Sequence, residues 1–225
     1  MKCYAIVIKG NRISEAGYRN LNASNKNDFE IEIFDAITPE TIPDTGLEYT
    51  YPTEGSRHDL NTELYLSAYE TGTLEKRIAC FYSHYLLWQK CHEENESLLI
   101  FEHDAEVVKK IPVDSLEKSR YGIIGLNNPI GATRKSRTYH DHIVGGQAGI
   151  VPAPYIDHLY IPQGLAGNSA YYIKPRAAYK LLELVKEHGI WPNDALMCKQ
   201  LLPKELGVTN PFFTKIQGLP STTTL

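Results

Sequence analysis

The feature that most limits what this chain can fold into is an apolar tetrapeptide that runs directly into charged residues. Residues 98–101 read Leu-Leu-Ile-Phe, and Glu102, His103 and Asp104 follow. A short apolar run of this kind is typical of a buried strand in a parallel sheet. Carboxylates at its end are costly to bury unless a cation meets them. In open α/β sheets this strand edge is where ligands bind.

The two carboxylates of this segment predict a site for a metal ion and a diphosphate. Hard divalent cations bind carboxylate oxygens and commonly share their remaining coordination positions with phosphate. Glu102 and Asp104 are therefore the candidate metal ligands. The alternative is an ordinary exit from a strand into a loop, with both charges solvated.

The segment before this strand has the pattern of an amphipathic helix. Residues 78–91 contain neither Gly nor Pro, and their apolar side chains recur at helical spacing. Combined with the strand, the sequence reads A-C-x-x-S-H-x-x-x-W, a polar spacer, and L-L-I-F-E-x-D-A. This arrangement resembles glycosyltransferase family 25, the lipooligosaccharide and collagen galactosyltransferases. In that family a C-x-x-S-H-x-x-x-W helix precedes a strand that ends in E-D-D-A.

The resemblance extends along most of the chain in the expected order. It is specific in the central and late segments and weak at the N-terminus. The similar segments are YAIVIKGNR (4–12), FDAITPE (34–40), YGIIGLN (121–127), GNSAYYIKPRAAYKLLELV (167–185) and PNDALM (192–197).

The resemblance implies both a fold and an activity. The fold would be a GT-A-type, Rossmann-like α/β fold that binds a nucleotide sugar on a mainly parallel sheet flanked by helices. The activity would be transfer of a sugar from a nucleotide diphosphate sugar, expected to be a UDP-sugar, to an acceptor hydroxyl with inversion. The implied cofactor is Mn²⁺ or Mg²⁺, with Asp104 as the direct ligand and Glu102 closer to the ribose or a metal-bound water.

Two departures from the family pattern stand out. His103 replaces the middle carboxylate of E-D-D, and it could be a metal ligand, an acceptor contact, a donor contact or a spacer. Residues 42–73 have no counterpart in the pattern. They could form a mobile lid or an acceptor-binding insertion.

An inverting transfer requires a base, and Asp194 is the first candidate. It begins a predicted helix, where the helix dipole would keep a carboxylate ionised. The alternative role is only to stabilise that helix start. Asp141 and Asp157 are reserve candidates for the base, and His158 or His188 could add a late metal ligand.

Several further residues are expected to contact the donor. Arg12 could reach the diphosphate with its planar guanidinium, although a plain surface role is equally open. Ser83 and His84 could contact the nucleotide or the loop that carries Glu102, or could form a satisfied pair between helix and sheet. The full set of donor-binding candidates is Ile8, Arg12, Ser83, His84, His103, Asn168 and Ser169.

A basic segment points to the acceptor. Residues 131–142 contain Arg134, Arg137 and other basic side chains but only one acid. If it is not simply a solvated surface, this loop would favour an anionic acceptor such as a phosphorylated saccharide or a polynucleotide. The acceptor is expected to be a saccharide, a hydroxylated residue, or a modified nucleobase in DNA, the last with the basic loop as its only support.

Composition places the chain among cytoplasmic single-domain enzymes. The chain has 225 residues and a formal net charge of −4, which gives no general reason to expect nucleic acid or an anionic membrane as partner. No segment approaches the ~20 apolar residues of a membrane span. We expect one domain over residues 1–216, a flexible tail over 217–225, and four reduced cysteines.

The periodicity predicts an alternating order of strands and helices. Pro175, Gly189 and Asn193 are expected to be a helix start, a helix stop and an N-cap. The strands are predicted at 4–8, 31–34, 98–101, 121–126, 143–151 and 170–173, and the long helices at 74–95, 175–188 and 194–202.

Three functional classes remain open from the sequence. The first is the metal-dependent glycosyltransferase. The second is a catalytically silent relative that binds nucleotide sugars, which the loss of the middle acid allows. The third is a metal-dependent phosphoester or pyrophosphate hydrolase that uses the same acidic strand end.

Overall fold

The computed structural model describes residues 1–68, 72–132, 135–156, 159–220 and 222. Strands and helices alternate along most of this length. The strands are β1 (Lys2–Val7), β2 (Glu32–Asp35), β3 (Ser56–Asp59), β4 (Leu64–Ser67), β5 (Leu98–Glu102), β6 (Ala105–Val107), β7 (Ile123–Gly125), β8 (Gly149–Pro152), β9 (Ala170–Ile173), β10 (Leu206–Asn210) and β11 (Thr214–Ile216). The helices are α1 (Arg12–Ser24), α2 (Leu74–Glu93), α3 (Val113–Lys118), α4 (Ser136–Val144), α5 (Pro175–His188) and α6 (Asn193–Leu196).

Seven of these strands form one central sheet in the order β2-β1-β5-β9-β7-β10-β8. Five strands run in one direction, while β9 and β8 run against their neighbours. The two small sheets pair β11 with β6 and β3 with β4. The α/β fold with a mainly parallel sheet and flanking helices is therefore confirmed.

The apolar run of β5 fills both layers of the core. Successive side chains of a strand point to opposite faces of its sheet. Leu98 and Ile100 accordingly belong to the cluster formed with α2 and α5, whereas Leu99 and Phe101 belong to the cluster formed with α1 and α3. All four are fully buried. By the same alternation, the next residue, Glu102, lies on the face that α2 covers.

Helix ends follow the predicted chemistry in α5 but not in α6. Pro175 occupies the first turn of α5, and Gly189 ends it with a positive φ of 79°. The predicted helix 194–202 is wrong in extent because regular helix covers only Asn193–Leu196. Asn193 is not the N-cap, since Pro192 holds that position and makes no side-chain cap hydrogen bond.

The predicted strand 143–151 is also wrong over most of its length. Residues up to Val144 belong to α4, and the strand is Gly149–Pro152. The segment 131–142 is consequently not a basic loop throughout, because α4 begins at Ser136. Sequence periodicity missed this because a short helix beside a sheet edge needs only one apolar stripe, here Tyr139 and Ile143.

Two other segments have contacts with the rest of the fold. The described part of the insertion, residues 42–68 and 72–73, contains the β3–β4 hairpin and buries Tyr51, Leu64 and Leu66 against the core. The flexible tail over residues 217–225 stays a prediction, and its first residue, Gln217, donates hydrogen bonds to several backbone carbonyls.

Within the described ranges, no helix is long and apolar enough to cross a membrane. All four cysteines are free thiols.

Candidate active site

The acidic end of β5 meets the chain segment that leads into β9. The backbone N–H of Glu102 donates to the carbonyl of Ser169 at 2.8 Å. The Ser169 hydroxyl donates to Oε2 of Glu102 at 3.2 Å. On the other side, Ile6 of β1 is in register with Glu102. Three chain segments thus converge at the strand edge where the sequence predicted a ligand.

A buried hydrogen-bond chain connects Glu102 to the interior of α2. The indole N–H of Trp88 donates to the Tyr171 hydroxyl at 2.9 Å, and that hydroxyl lies 2.9 Å from Nδ1 of His84. Because an indole only donates, the hydroxyl proton is left for Nδ1, and Nε2 then carries the ring's proton. Nε2 lies 3.2 Å from Oε1 of Glu102. His84 is therefore a donor to Glu102.

The two carboxyl groups of the site have opposite pKa shifts. Burial acts to raise the pKa of Glu102, but the hydrogen bonds from His84 and Ser169 and the nearby His103 outweigh it and hold the pKa below its ordinary value. For Asp104, burial and the charge of Glu102 together raise the pKa to about 7. Without a cation, the site therefore prefers one charged and one protonated carboxyl group.

Unpaired oxygens in this site fit a hard cation. Oδ1 of Asp104 and both side-chain atoms of Asn168 are buried and have no hydrogen-bond partner among the described residues. Buried polar atoms without partners are destabilising, so a ligand is expected there. Carboxylate and amide oxygens are the donors that Mn²⁺ and Mg²⁺ prefer. The residues present thus fit the metal that the sequence predicted.

A second group of metal-ligand types lies nearby. Ligand atoms of Cys80, His84 and Glu102 lie within 4.8 Å of one another. Burial raises the pKa of the Cys80 thiol, which disfavours the thiolate that binds metals. His84 already uses both ring nitrogens in the hydrogen-bond chain. The group is therefore a support for Glu102, and its soft donor does not suit Mn²⁺ or Mg²⁺.

Asp194 belongs to the same electrostatic cluster. Burial raises its pKa, with a further contribution from the charge of Glu102, while Arg77 acts in the opposite direction. Burial therefore opposes the ionisation of Asp194 that the helix dipole is expected to favour, and the helix here is only four residues long. One of its oxygens accepts the N–H of Ala195 at 3.0 Å.

Arg77 is the member of this cluster that the sequence analysis missed. It faces Asp194 and also influences Cys80 and Tyr49. A usable signal was present, because Arg77 lies three residues before Cys80 and seven before His84, on the same face of α2.

The remaining donor-binding candidates differ in where they lie. Ile8 and Arg12 follow β1 at the strand edge that holds Glu102, and Arg12 is exposed at the start of α1. His103 is half-buried, and burial lowers its pKa. Ser83 is 1% exposed, donates to the carbonyl of Ala79 and accepts the N–H of Ile37, so it fits the helix–sheet interface.

The acceptor and reserve candidates lie farther away or cannot be placed. Arg137 is exposed on α4, which packs on β10, three strands from β5 in the sheet. Asp141 pairs with the neighbouring His140. His188 is buried at the end of α5 beside Trp191. Arg134, Asp157 and His158 lie outside the described residues.

Two cavities open beside the insertion, and neither is lined by Glu102 or Asp104. One of about 350 Å³ lies between residues 42–49 and the side chains of Ile78, Tyr82 and Ile190. The other, of about 750 Å³, lies between the insertion and the end of α5. Tyr49 lines both cavities, and the charge of Asp194 contributes to raising the Tyr49 pKa after burial. Tyr49 therefore links the two cavities to the electrostatic surroundings of Asp194.

Comparison with known families agrees with this geometry. The model of glycosyltransferase family 25 (LPS biosynthesis protein) matches residues 19–197, which is most of the chain. The chain belongs to glycosyltransferase family 25. As a member of this glycosyltransferase family it is a sugar-transferring enzyme, as the sequence predicted. The match includes the acidic strand end, the helix before it and Asp194.

The chain also shows distant likenesses to solved glycosyltransferase structures. The galactosyltransferase LgtC, solved with donor and acceptor sugar analogs, is 10% identical; the match covers 92% of this chain and 73% of LgtC, with a TM-score of 0.44. Mouse xyloside xylosyltransferase 1 is 9% identical over 92% of this chain and 84% of its own, with a TM-score of 0.46. GlyE of Streptococcus pneumoniae is 9% identical; the match covers 92% of this chain and 45% of GlyE, with a TM-score of 0.41. These scores are too low to establish a shared fold. No curated protein gave a significant match.

Proposed function

We propose that this member of family 25 is a metal-dependent enzyme that transfers a sugar from a UDP-sugar to an acceptor hydroxyl with inversion at the anomeric carbon. The observation that carries the proposal is the acidic end of β5. There, Asn168 directly precedes Ser169, which contacts Glu102, and buried oxygens of Asp104 and Asn168 lack partners among the described residues.

The carboxylates of this site would hold the cation, Mn²⁺ or Mg²⁺, together with the donor diphosphate. When bound, the cation acts as a Lewis acid for the negative charge that gathers on the leaving diphosphate. Asp104 would be the direct ligand, and its raised pKa means that it gives up a proton when the cation binds. His84 and Ser169 hold the orientation of Glu102 through its two oxygens.

Asp194 would act as the general base toward the acceptor hydroxyl. A base is most effective when its pKa lies near the working pH, and burial moves the Asp194 pKa upward from the ordinary carboxyl value. Arg77 would limit this rise and keep a fraction of Asp194 ionised. Direct displacement requires the base and the leaving group on opposite sides of the sugar, so the donor sugar would lie between Asp194 on α6 and the diphosphate at the end of β5.

The insertion would form the acceptor side of the site. Its residues 42–49 line a cavity of about 350 Å³, and Tyr49 is close enough to Asp194 for their charges to interact. A saccharide hydroxyl that entered past Tyr49 would arrive at the proposed base. This route favours a small saccharide acceptor. Arg137 on α4 would serve acceptors that extend to the far edge of the sheet, and the prediction for Arg134 falls outside the described residues.

The proposal is tested by binding and slow hydrolysis of a panel of nucleotide sugars, with Mn²⁺ and with EDTA. We expect one UDP-sugar to bind and turn over only with Mn²⁺, and Asp104→Asn to abolish both. Glu106→Gln is the matched control, because it changes the next carboxylate along the chain, which pairs with Lys215 at the surface.

Other outcomes distinguish the remaining alternatives. Metal-dependent binding without turnover, even with a panel of saccharide acceptors, would favour a catalytically silent relative. Cleavage of the UDP-sugar by water to UMP and a sugar 1-phosphate, without transfer to an acceptor, would favour a hydrolase. Equal turnover in EDTA and in Mn²⁺ would contradict the metal-dependent proposal.

A further inference from the structure

The turn that carries the acidic pair is held from behind by one residue near the C-terminus. The backbone N–H of Gln217 donates to the carbonyl of Asp104 at 2.8 Å. Its side-chain Nε2 lies 2.8 Å from the carbonyl of Ala105, 2.9 Å from that of Gly17 and 3.3 Å from that of His103. A single residue therefore binds three consecutive carbonyls of the turn.

The orientation of this amide is fixed by a further contact. Asn20 on α1 donates from Nδ2 to Oε1 of Gln217 at 3.1 Å. Because Oε1 is satisfied there, the Nε2 group faces the turn, and its two hydrogens serve three carbonyls. The side chain is held at both ends, which reduces the rotamer freedom it would otherwise keep.

The helix below the turn leaves it no room to move inward. A Cβ at Gly17 would lie 2.6 Å from the carbonyl oxygen of His103. Helix α1 can therefore pack this close to the turn only because residue 17 has no side chain. Strand β11 pairs with β6 directly after the turn, matching Ile216 to Ala105. Gln217 thus adds a third set of contacts to the turn, beside those of β11 and α1.

We propose that Gln217 is a positioning residue for the metal site, acting through the backbone of residues 103–105 to aim the Asp104 carboxylate. The inference rests on the proposed function, since it concerns the same site. Outer groups that orient metal ligands usually influence metal affinity by about 10–100-fold when they are replaced. Gln217 contacts no reacting group, so its effect is on the binding of the cation and not on the transfer step itself.

The test compares Gln217→Met with the native chain. The methionine side chain has nearly the same length and volume but cannot donate to the carbonyls of Gly17, His103 and Ala105, while the backbone N–H of residue 217 still donates to Asp104. We expect Mn²⁺ affinity, measured by titration in the presence of UDP, to weaken about tenfold or more. We also expect faster hydrogen exchange of the backbone amides in residues 103–107 in the metal-free protein. Lys215→Met is the matched control on the neighbouring strand, and it should change both measurements by less than about twofold.

The result that would overturn the inference is an unchanged Mn²⁺ affinity in Gln217→Met, even if the variant unfolds at a lower temperature, because that is the signature of a purely structural role. If Gln217→Met does not fold, Asn20→Ala gives the decision. This variant removes only the contact to Oε1 of Gln217, and it should also weaken Mn²⁺ binding. An unchanged Mn²⁺ affinity in Asn20→Ala would overturn the inference. Absence of Mn²⁺ binding in the native chain would instead contradict the proposed function, and the exchange measurement would still test whether Gln217 holds the turn.

Discussion

Asp104 differs from the other acidic residues at this site in the hydrogen bonds that its carboxyl group receives. Its neighbour Glu102 has two hydrogen-bond donors for its charge, whereas Oδ1 of Asp104 has none among the described residues. The same motif therefore contains one carboxylate that the fold stabilises and one that a ligand must complete. This difference cannot be read from two acids separated by one residue.

The raised pKa of Asp104 predicts a specific dependence of stability on pH. Folded Asp104 keeps its proton up to about pH 7, whereas the unfolded chain loses it near the ordinary value of 3.8. Its contribution to stability is thus complete below about pH 4 and is lost as the pH rises through 7. Asp104→Asn cannot ionise, so in EDTA its melting temperature should rise relative to the native chain between pH 5 and pH 8. Calorimetry at several pH values measures this, with Glu106→Gln as control, and a difference that is constant with pH would contradict the prediction.

The Tyr171 hydroxyl should contribute strongly to stability because it serves two buried partners. Tyr171→Phe leaves the Trp88 indole N–H and Nδ1 of His84 unpaired in the core. Each unsatisfied buried group costs about 1–3 kcal/mol, so we expect a loss of roughly 2–6 kcal/mol in the free energy of unfolding. Tyr18→Phe is the control, because it removes a single hydrogen bond to the carbonyl of Ile31 at a partly buried position. Equal losses in urea unfolding for the two variants would argue against the buried chain.

At the scale of elements, the site depends on how closely α1 approaches the acidic turn. Helix α1 has a well-formed N-cap, since the Asn11 side chain accepts hydrogen bonds from the N–H groups of Ile13 and Ser14. Its interior nevertheless contains Gly17, a residue that weakens helices. The structure supplies the reason, because the carbonyl of His103 occupies the space of a Cβ.

Gly17→Ala should therefore reverse the usual effect of this substitution. In a free helix, alanine is more favourable than glycine by about 0.5–1 kcal/mol. Here the added carbon would contact a backbone oxygen at 2.6 Å, so we expect lower stability and weaker Mn²⁺ binding as the turn shifts. Asn22→Ala on the exposed face of the same helix should be neutral or slightly stabilising. Thermal unfolding and Mn²⁺ titration of both variants test this, and a stabilised Gly17→Ala would show that the helix yields without moving the turn.

At the scale of the whole molecule, the site is assembled from distant parts of the chain. Its groups come from α2, the end of β5, the segment before β9 and α6, so it spans residues 77 to 194. No single unit of supersecondary structure contains it. If residues 1–216 form one domain, as the sequence predicts, the site therefore depends on the folding of that whole domain.

Donor binding and the folded structure should be lost together as urea is added. If the chain is one cooperative unit, unfolding in urea should give the same midpoint by far-UV circular dichroism and by tryptophan fluorescence, since Trp88 and Trp191 are both buried. Binding of the UDP-sugar should disappear over the same range of urea concentration. Loss of binding well before the fluorescence change would indicate that the insertion, or another part of the site, unfolds separately.

The sequence by itself determined the class of fold, the buried acidic strand and the family. These depend on local patterns, namely an apolar run, a helical period and a motif, which a short stretch of chain contains completely. Only the tertiary structure decided which groups surround the acids. Arg77, Tyr171 and Gln217 reach the site through helix packing and sheet register, and α4 and α6 take their observed lengths from the surfaces they cover. The physical reason is that the pKa of Asp104 and the position of its turn depend on burial and on contacts between residues far apart in the sequence. A local sequence pattern does not contain that information.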